Sequence, residues 1–205
     1  MTPQQLYDTI KQAFPKSEVA SICYTSRDCL RNGFCSNQQA GKVIDFDAVK
    51  EEAYKGVTPT PASVDAVCVS SEDDPAFVFV ELKGWKQYID KIYYQKQTPQ
   101  EKASGYNLAG KLSDSQHLCM KLAGDRDLFL HMPVRFLLVT DINVDSNGID
   151  AFQYMLNQLG QTSSYLYSEC MSEARKCLES EIYIDRDYIS CKDFDRYLCS
   201  SGTGK

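Results

Sequence analysis

The chain has 205 residues, 43% of them hydrophobic and 24% charged, with a formal net charge of -6. These values fit one globular domain with a sizeable core, and they exclude long disorder, collagen and coiled-coil arrays. No apolar run approaches the roughly 20 residues that span a bilayer, and the N-terminus lacks the basic-then-apolar order of a signal peptide, so an intracellular, cytoplasmic, soluble protein is expected. A first helix is predicted over Pro3–Phe14, with Leu6, Ile10, Ala13 and Phe14 on one face, Thr2 as cap and Pro15 as terminator. Residues Ser21–Gly41 read as loop or short elements, and Phe46–Tyr54 as a second helix followed by the turn-rich Gly56–Pro61. Ser63–Val69 and Ala76–Lys83 read as strands, and the Ser70–Pro75 linker between them has hairpin turn chemistry. The second strand is apolar on both faces until its end, which predicts a central position covered on both sides. Helices are expected over Lys86–Gln97 and Gln100–Ala123, broken near Thr98-Pro99 and at Gly105. In the second of these, Leu108, Leu112, Ser115, Cys119 and Leu122 form a stripe. Val134–Thr140 is a third strong strand and Ile149–Leu159 an amphipathic helix. Tyr165–Cys199 reads as a helix, a short strand at Ile182–Ile184 and a final helix or loop, with 200–205 frayed. The fold class expected is α/β: a mixed central sheet flanked by helices. A core spans about 3–160 and a C-terminal extension about 161–205, within a single domain.

Nine cysteines are an odd number, no export signal precedes them and none forms a C-x-x-C pair. A disulfide framework is therefore not expected, and Cys23, Cys29 and Cys35 match no common zinc spacing. Free buried thiols are the expectation. There is no Walker loop, G-x-G-x-x-G or G-x-S-x-G. Only two histidines occur, His117 on the polar side of a predicted helix and His131 in a predicted loop, which leaves little for a Cys–His nucleophile.

Charge is unevenly spread. Residues 42–80 carry three Lys and eight Asp/Glu, whereas 81–126 carry eight Lys/Arg and five Asp/Glu, so a locally basic stretch follows an acidic one. Tyr88, Tyr93 and Tyr94 lie amid Lys86, Lys91 and Lys96, a pattern that suits helix packing and also base stacking on a single strand.

The chemistry concentrates at Asp65 and at Glu81-Leu82-Lys83. Residues two apart on a strand share a face, so Glu81 and Lys83 point the same way. The hairpin brings Asp65 beside Glu81. Two carboxylates and an ammonium then meet at one end of a sheet, straight after an apolar run, where charge is costly unless paired or metal-bound. Two oxygen ligands suit Mg²⁺ or Mn²⁺, and a nearby lysine stabilises charge developing on phosphorus. Crowded carboxylates also repel, so neutralising either one is expected to raise stability. The plain alternative is an ion pair between Glu81 and Lys83 at a strand end, with Asp65 capping a turn.

The arrangement resembles the PD-(D/E)xK nuclease superfamily, with Asp65 on the second core strand and Glu81-x-Lys83 closing the third. The resemblance covers roughly residues 3–142 and implies a restriction-endonuclease-like core. It also implies a Mg²⁺- or Mn²⁺-dependent deoxyribonuclease. In this reading Asp65 and Glu81 are metal ligands, the Leu82 carbonyl is a further one, and Lys83 positions the attacking water. DNA is the implied substrate, with a protein partner or a second copy supplying part of the grip and no membrane role. The family's habits point to bacterial or phage DNA processing, including antiviral defence. The alternative within the same fold is a catalytically inactive interaction subunit of a larger nucleic-acid-processing complex. Val64 stands where the family pattern has proline. The acidic residue often found on the first helix has several candidates: Asp8, Glu18, Glu51 and Glu52. A polar residue from the helix after the motif has five: Lys86, Gln87, Lys111, Asp114 and Ser115.

Overall fold

The computed structural model describes residues 1–26, 41–70, 74–84, 101, 104–140, 185–191, 194 and 198. Helix α1 spans Pro3–Ala13. It opens on a reciprocal capping box: the Thr2 amide donates to Gln5 Oε1 (2.8 Å) and the Gln5 amide to Thr2 Oγ1 (3.2 Å). Leu6, Tyr7 and Ile10 are buried, while Ala13, expected on that face, is exposed where the helix ends.

Strand β1 (Glu18–Val19), a 3-10 turn (Ile22–Thr25) and strand β2 (Val43–Asp45) follow; the turn is one of the short elements expected after Ser21, while the two strands were not expected. Helix α2 (Phe46–Ala53) is capped by Asp45, whose carboxylate accepts from the Ala48 amide. The predicted hairpin forms β3 (Ala66–Val69) and β4 (Phe77–Lys83), closed by the Ser70 amide on the Ala76 carbonyl and the Ala76 amide on Ser70 Oγ. Helix α3 runs Leu108–Ala123. Asn107, at φ 51, breaks the chain just before it, close to the expected break at Gly105. Gly124 ends it in the left-handed region at φ 67, a conformation glycine takes without steric cost. Strands β5 (Val134–Thr140) and β6 (Asp185–Ser190) complete the elements.

The six strands form one sheet in sequence order, β1 to β6. Neighbours are antiparallel up to β4, then β4–β5 and β5–β6 are parallel. The fold is thus mixed α/β. Period-two alternation on β4 sends Phe77 and Phe79 to the face packed by α1 and α3, together with Leu6, Ile10, Leu112 and Phe136. Val78, Val80 and Leu82 go to the other face, with Ile22, Val43, Leu137 and Phe194. The strand is covered on both sides, as its composition requires. Cys68 and Cys119 lie buried in these two layers, and burial pushes both thiols up from their ordinary range.

Strand β6 and Phe194 come from the stretch set apart as an extension, yet they supply a sheet edge and part of the second core layer. At Gly41 an added Cβ would lie 2.5 Å from Leu198 Cδ1, so this tail also packs closely on the segment entering β2. The strand is seen at Asp185–Ser190, while 182–184, where a strand was expected, lies outside the described residues. So do the predicted helices 86–97 and 149–159, with Lys86, Gln87, Tyr88, Tyr93 and Tyr94, and also Cys29, Cys35, Cys170, Cys177 and Cys199. Among the described residues, no helix is long and apolar enough to cross a membrane.

Candidate metal centre

Strand β4 carries Phe77, Phe79 and Glu81 along one face, so the alternation that builds the core delivers a carboxylate into it. Glu81 is 0% exposed. A buried ionised carboxylate is costly unless compensated. Here the compensation reaches one oxygen only. Lys83 Nζ and Lys111 Nζ both lie 2.5 Å from Glu81 Oε1. Glu81 Oε2 is buried and has no hydrogen-bond partner among the described residues. Lys83 shares the strand face with Glu81, and its ammonium stands 5.0 Å from the centre of the Tyr106 ring. Lys111 reaches in from α3. Burial alone would lower its pKa, but the Glu81 carboxylate overrides that and raises it above the ordinary lysine value.

Asp65 sits one residue before β3. The antiparallel register pairs Ala66 with Val80, so one step outward sets Asp65 opposite Glu81. Its Oδ2 accepts the Leu82 amide at 2.7 Å. Burial, and next the Glu81 charge, raise its pKa from 3.8 to about 6, against the opposing pull of Lys83, the Leu82 amide and Lys111. The Leu82 N–H thus touches Asp65, while its side chain packs in the opposite layer.

The segment leading to Asp65 is splinted by α3. The Ala62 amide donates to Asp114 Oδ2 (2.9 Å) and the Val64 amide to Ser115 Oγ (3.0 Å). From α2, Asp47 accepts the Ser63 hydroxyl and pairs with Lys50 at 2.8 Å. Those partners, Lys50 first, hold the Asp47 carboxyl below its usual range in spite of burial. One face of α3 thus touches both acidic segments, through Lys111 on Glu81 and through Asp114 and Ser115 on the approach to Asp65. Ser115→Ala would leave the Val64 amide buried without its acceptor. The expected loss is about 1–3 kcal/mol of unfolding free energy, measured by urea denaturation. An unchanged midpoint would show that the splint carries no weight.

Of the helix acids considered, Asp8 is exposed and bonds Gln4, and Glu51 and Glu52 are exposed on α2. Glu18 is engaged by Lys11 (2.9 Å), Lys42 (3.7 Å) and Tyr7. Asp47 is an acid that joins Glu81 and Asp65 in raising the Lys111 pKa. It occupies the first turn of α2, a position the sequence marks only as a favourable place for an acid at a helix N-terminus. His117 is exposed with Nδ1 2.8 Å from the Ser113 carbonyl, and His131 is exposed after a 3-10 turn.

As ligands, Asp65 and Glu81 would make a spare set. No group of three or more His, Cys, Asp or Glu that could hold a metal ion occurs among the described residues. The fit is to a small hard cation that keeps several waters and shares substrate oxygens, for which two carboxylates suffice. The unpartnered Glu81 oxygen and the electrostatic strain between the two acids are consistent with that fit. Compared with known families, curated proteins and solved structures, the chain matches none.

Proposed function

We propose that the chain is a metal-dependent nuclease of the PD-(D/E)xK type, with a restriction-endonuclease-like core, that hydrolyses phosphodiester bonds in DNA. The observation that carries this reading is Glu81: a wholly buried carboxylate at the end of a central strand, with one oxygen unpartnered, Asp65 opposite and two ammonium groups in contact. Asp65 and Glu81 would hold Mg²⁺ or Mn²⁺, and the cation supplies charge neutralisation and a more acidic water. The protein's own groups do the rest. Lys83, fixed by the strand period on the same face as Glu81, offers an N–H donor to the attacking water and to the phosphoryl oxygens as negative charge gathers on them. The Leu82 amide holds the Asp65 carboxylate in place. α3 keeps the Asp65 segment against the sheet, so little reorganisation is left for the reaction itself. The net charge of -6 supports a protein partner or a second copy supplying part of the DNA grip.

One observation favours a second reading, a catalytically inactive interaction subunit. Both lysines already neutralise Glu81 Oε1, so the cluster also makes sense as a structural ion pair. A thermal melt with and without Mn²⁺, run beside plasmid cleavage, separates the two. A nuclease melts higher with Mn²⁺, loses that rise in Asp65→Ala, and cuts only with the cation present. Equal melts in both proteins, and intact plasmid, leave the subunit reading.

A further inference from the structure

Lys83 and Lys111 hold the same carboxylate oxygen but are anchored differently. Lys83 belongs to the strand that carries Glu81 and has the Tyr106 ring against its ammonium. Lys111 crosses from α3 to Glu81 on β4, and Asp65 lies opposite Glu81 on the approach to β3. It is thus a counter-ion brought to the Asp65–Glu81 pair from another element, on a flexible four-carbon stem that carries a compact charge. A divalent cation held by Asp65 and Glu81 would need the same negative charge, and two cations on one carboxylate pair repel.

We propose that Lys111 gates the metal centre: its ammonium and a divalent cation are competing partners of the Asp65–Glu81 pair. This rests on the metal-centre reading above and adds a regulatory role that is separate from catalysis. Loading with the cation displaces Lys111 from Glu81. The released ammonium is then free to meet a phosphate, so cation and substrate bind with positive coupling. Lys83, held by its strand and by Tyr106, stays.

The test is calorimetric titration of the full chain with MnCl₂, for wild type, Lys111→Met and Lys111→Arg. Removing the competing charge should tighten Mn²⁺ binding by about 5- to 100-fold, the usual size of a coupling between sites. Lys111→Arg, which keeps the charge, should bind no tighter than wild type. If wild type binds Mn²⁺ and Lys111→Met binds equally or more weakly, the gate is wrong and the metal centre stands. If none of the three binds, both fall. Should Lys111→Met fail to fold, wild type reductively methylated with ¹³C answers instead, with Lys111→Arg assigning the resonance. The Lys111 methyl signal should shift on adding Mg²⁺, and a signal unmoved at saturating Mg²⁺ overturns the gate.

Discussion

Lys83→Ala should lose cleavage activity by about a hundred- to a thousandfold while still binding Mn²⁺, as expected for removing one preorganised charge-stabilising donor. The reason is positional. Lys83 lies two residues beyond Glu81 on β4, so the strand period fixes both on one face, and its Nζ is 2.5 Å from Glu81 Oε1. Glu81 keeps a counter-ion in the variant, because Lys111 Nζ remains 2.5 Å from the same oxygen. The fold should therefore survive. Lys83→Arg should not rescue, since a guanidinium is broader and planar and cannot place a compact charged donor at the same point. Single-turnover cleavage of a labelled duplex, with Mn²⁺ affinity measured alongside, checks both parts. If the cluster is only a structural ion pair, Lys83→Ala alters stability alone and leaves cleavage untouched.

The part of the site that sequence made legible is the part written at short range. Glu81 and Lys83 follow an apolar run whose alternation fixes their face, and Asp65 lies on the partner arm of a hairpin with recognisable turn residues. The stripe on α3 likewise put Ser115 on its buried face before any contact was known. What the stripe could not tell was its partner, because Val64 and Ser115 are 51 residues apart and a hydrogen bond at that separation has no periodic signature. Lys111 stood as one polar candidate among five for the same reason. Strands β1 and β2 have two and three residues, too few for alternation to register; β1 depends on pairing with β2, and β2 on pairing with β3. Strand β6 is described over Asp185–Ser190, and its start, Asp185-Arg-Asp, carries no strand signal; pairing with β5 places it.

The two carboxylates should respond to neutralisation with opposite signs, although crowding alone predicts that losing either one stabilises. Glu81 is wholly buried and neutralises both Lys83 and Lys111. Glu81→Ala takes from both ammonium groups the carboxylate they contact, and breaking a buried pair in this way costs about 3–5 kcal/mol. Asp65 is different because burial and Glu81 raise its pKa from 3.8 to about 6 in the folded protein. Between those two values the folded state binds more protons than the unfolded state. The stability it contributes is therefore complete below about pH 3.8 and is lost as pH rises through about 6. A shift of about two units corresponds to about 3 kcal/mol. Asp65→Asn resembles the protonated acid and keeps an acceptor for the Leu82 amide. It should match wild type at low pH, gain up to about 3 kcal/mol above pH 7, and flatten the slope between. Urea denaturation at a series of pH values, without divalent cations, reads all of this directly. An unaltered pH slope in Asp65→Asn would mean that the charge on Asp65 is compensated in the folded protein. A stable Glu81→Ala would mean that Lys83 and Lys111 find water as readily as they find the carboxylate.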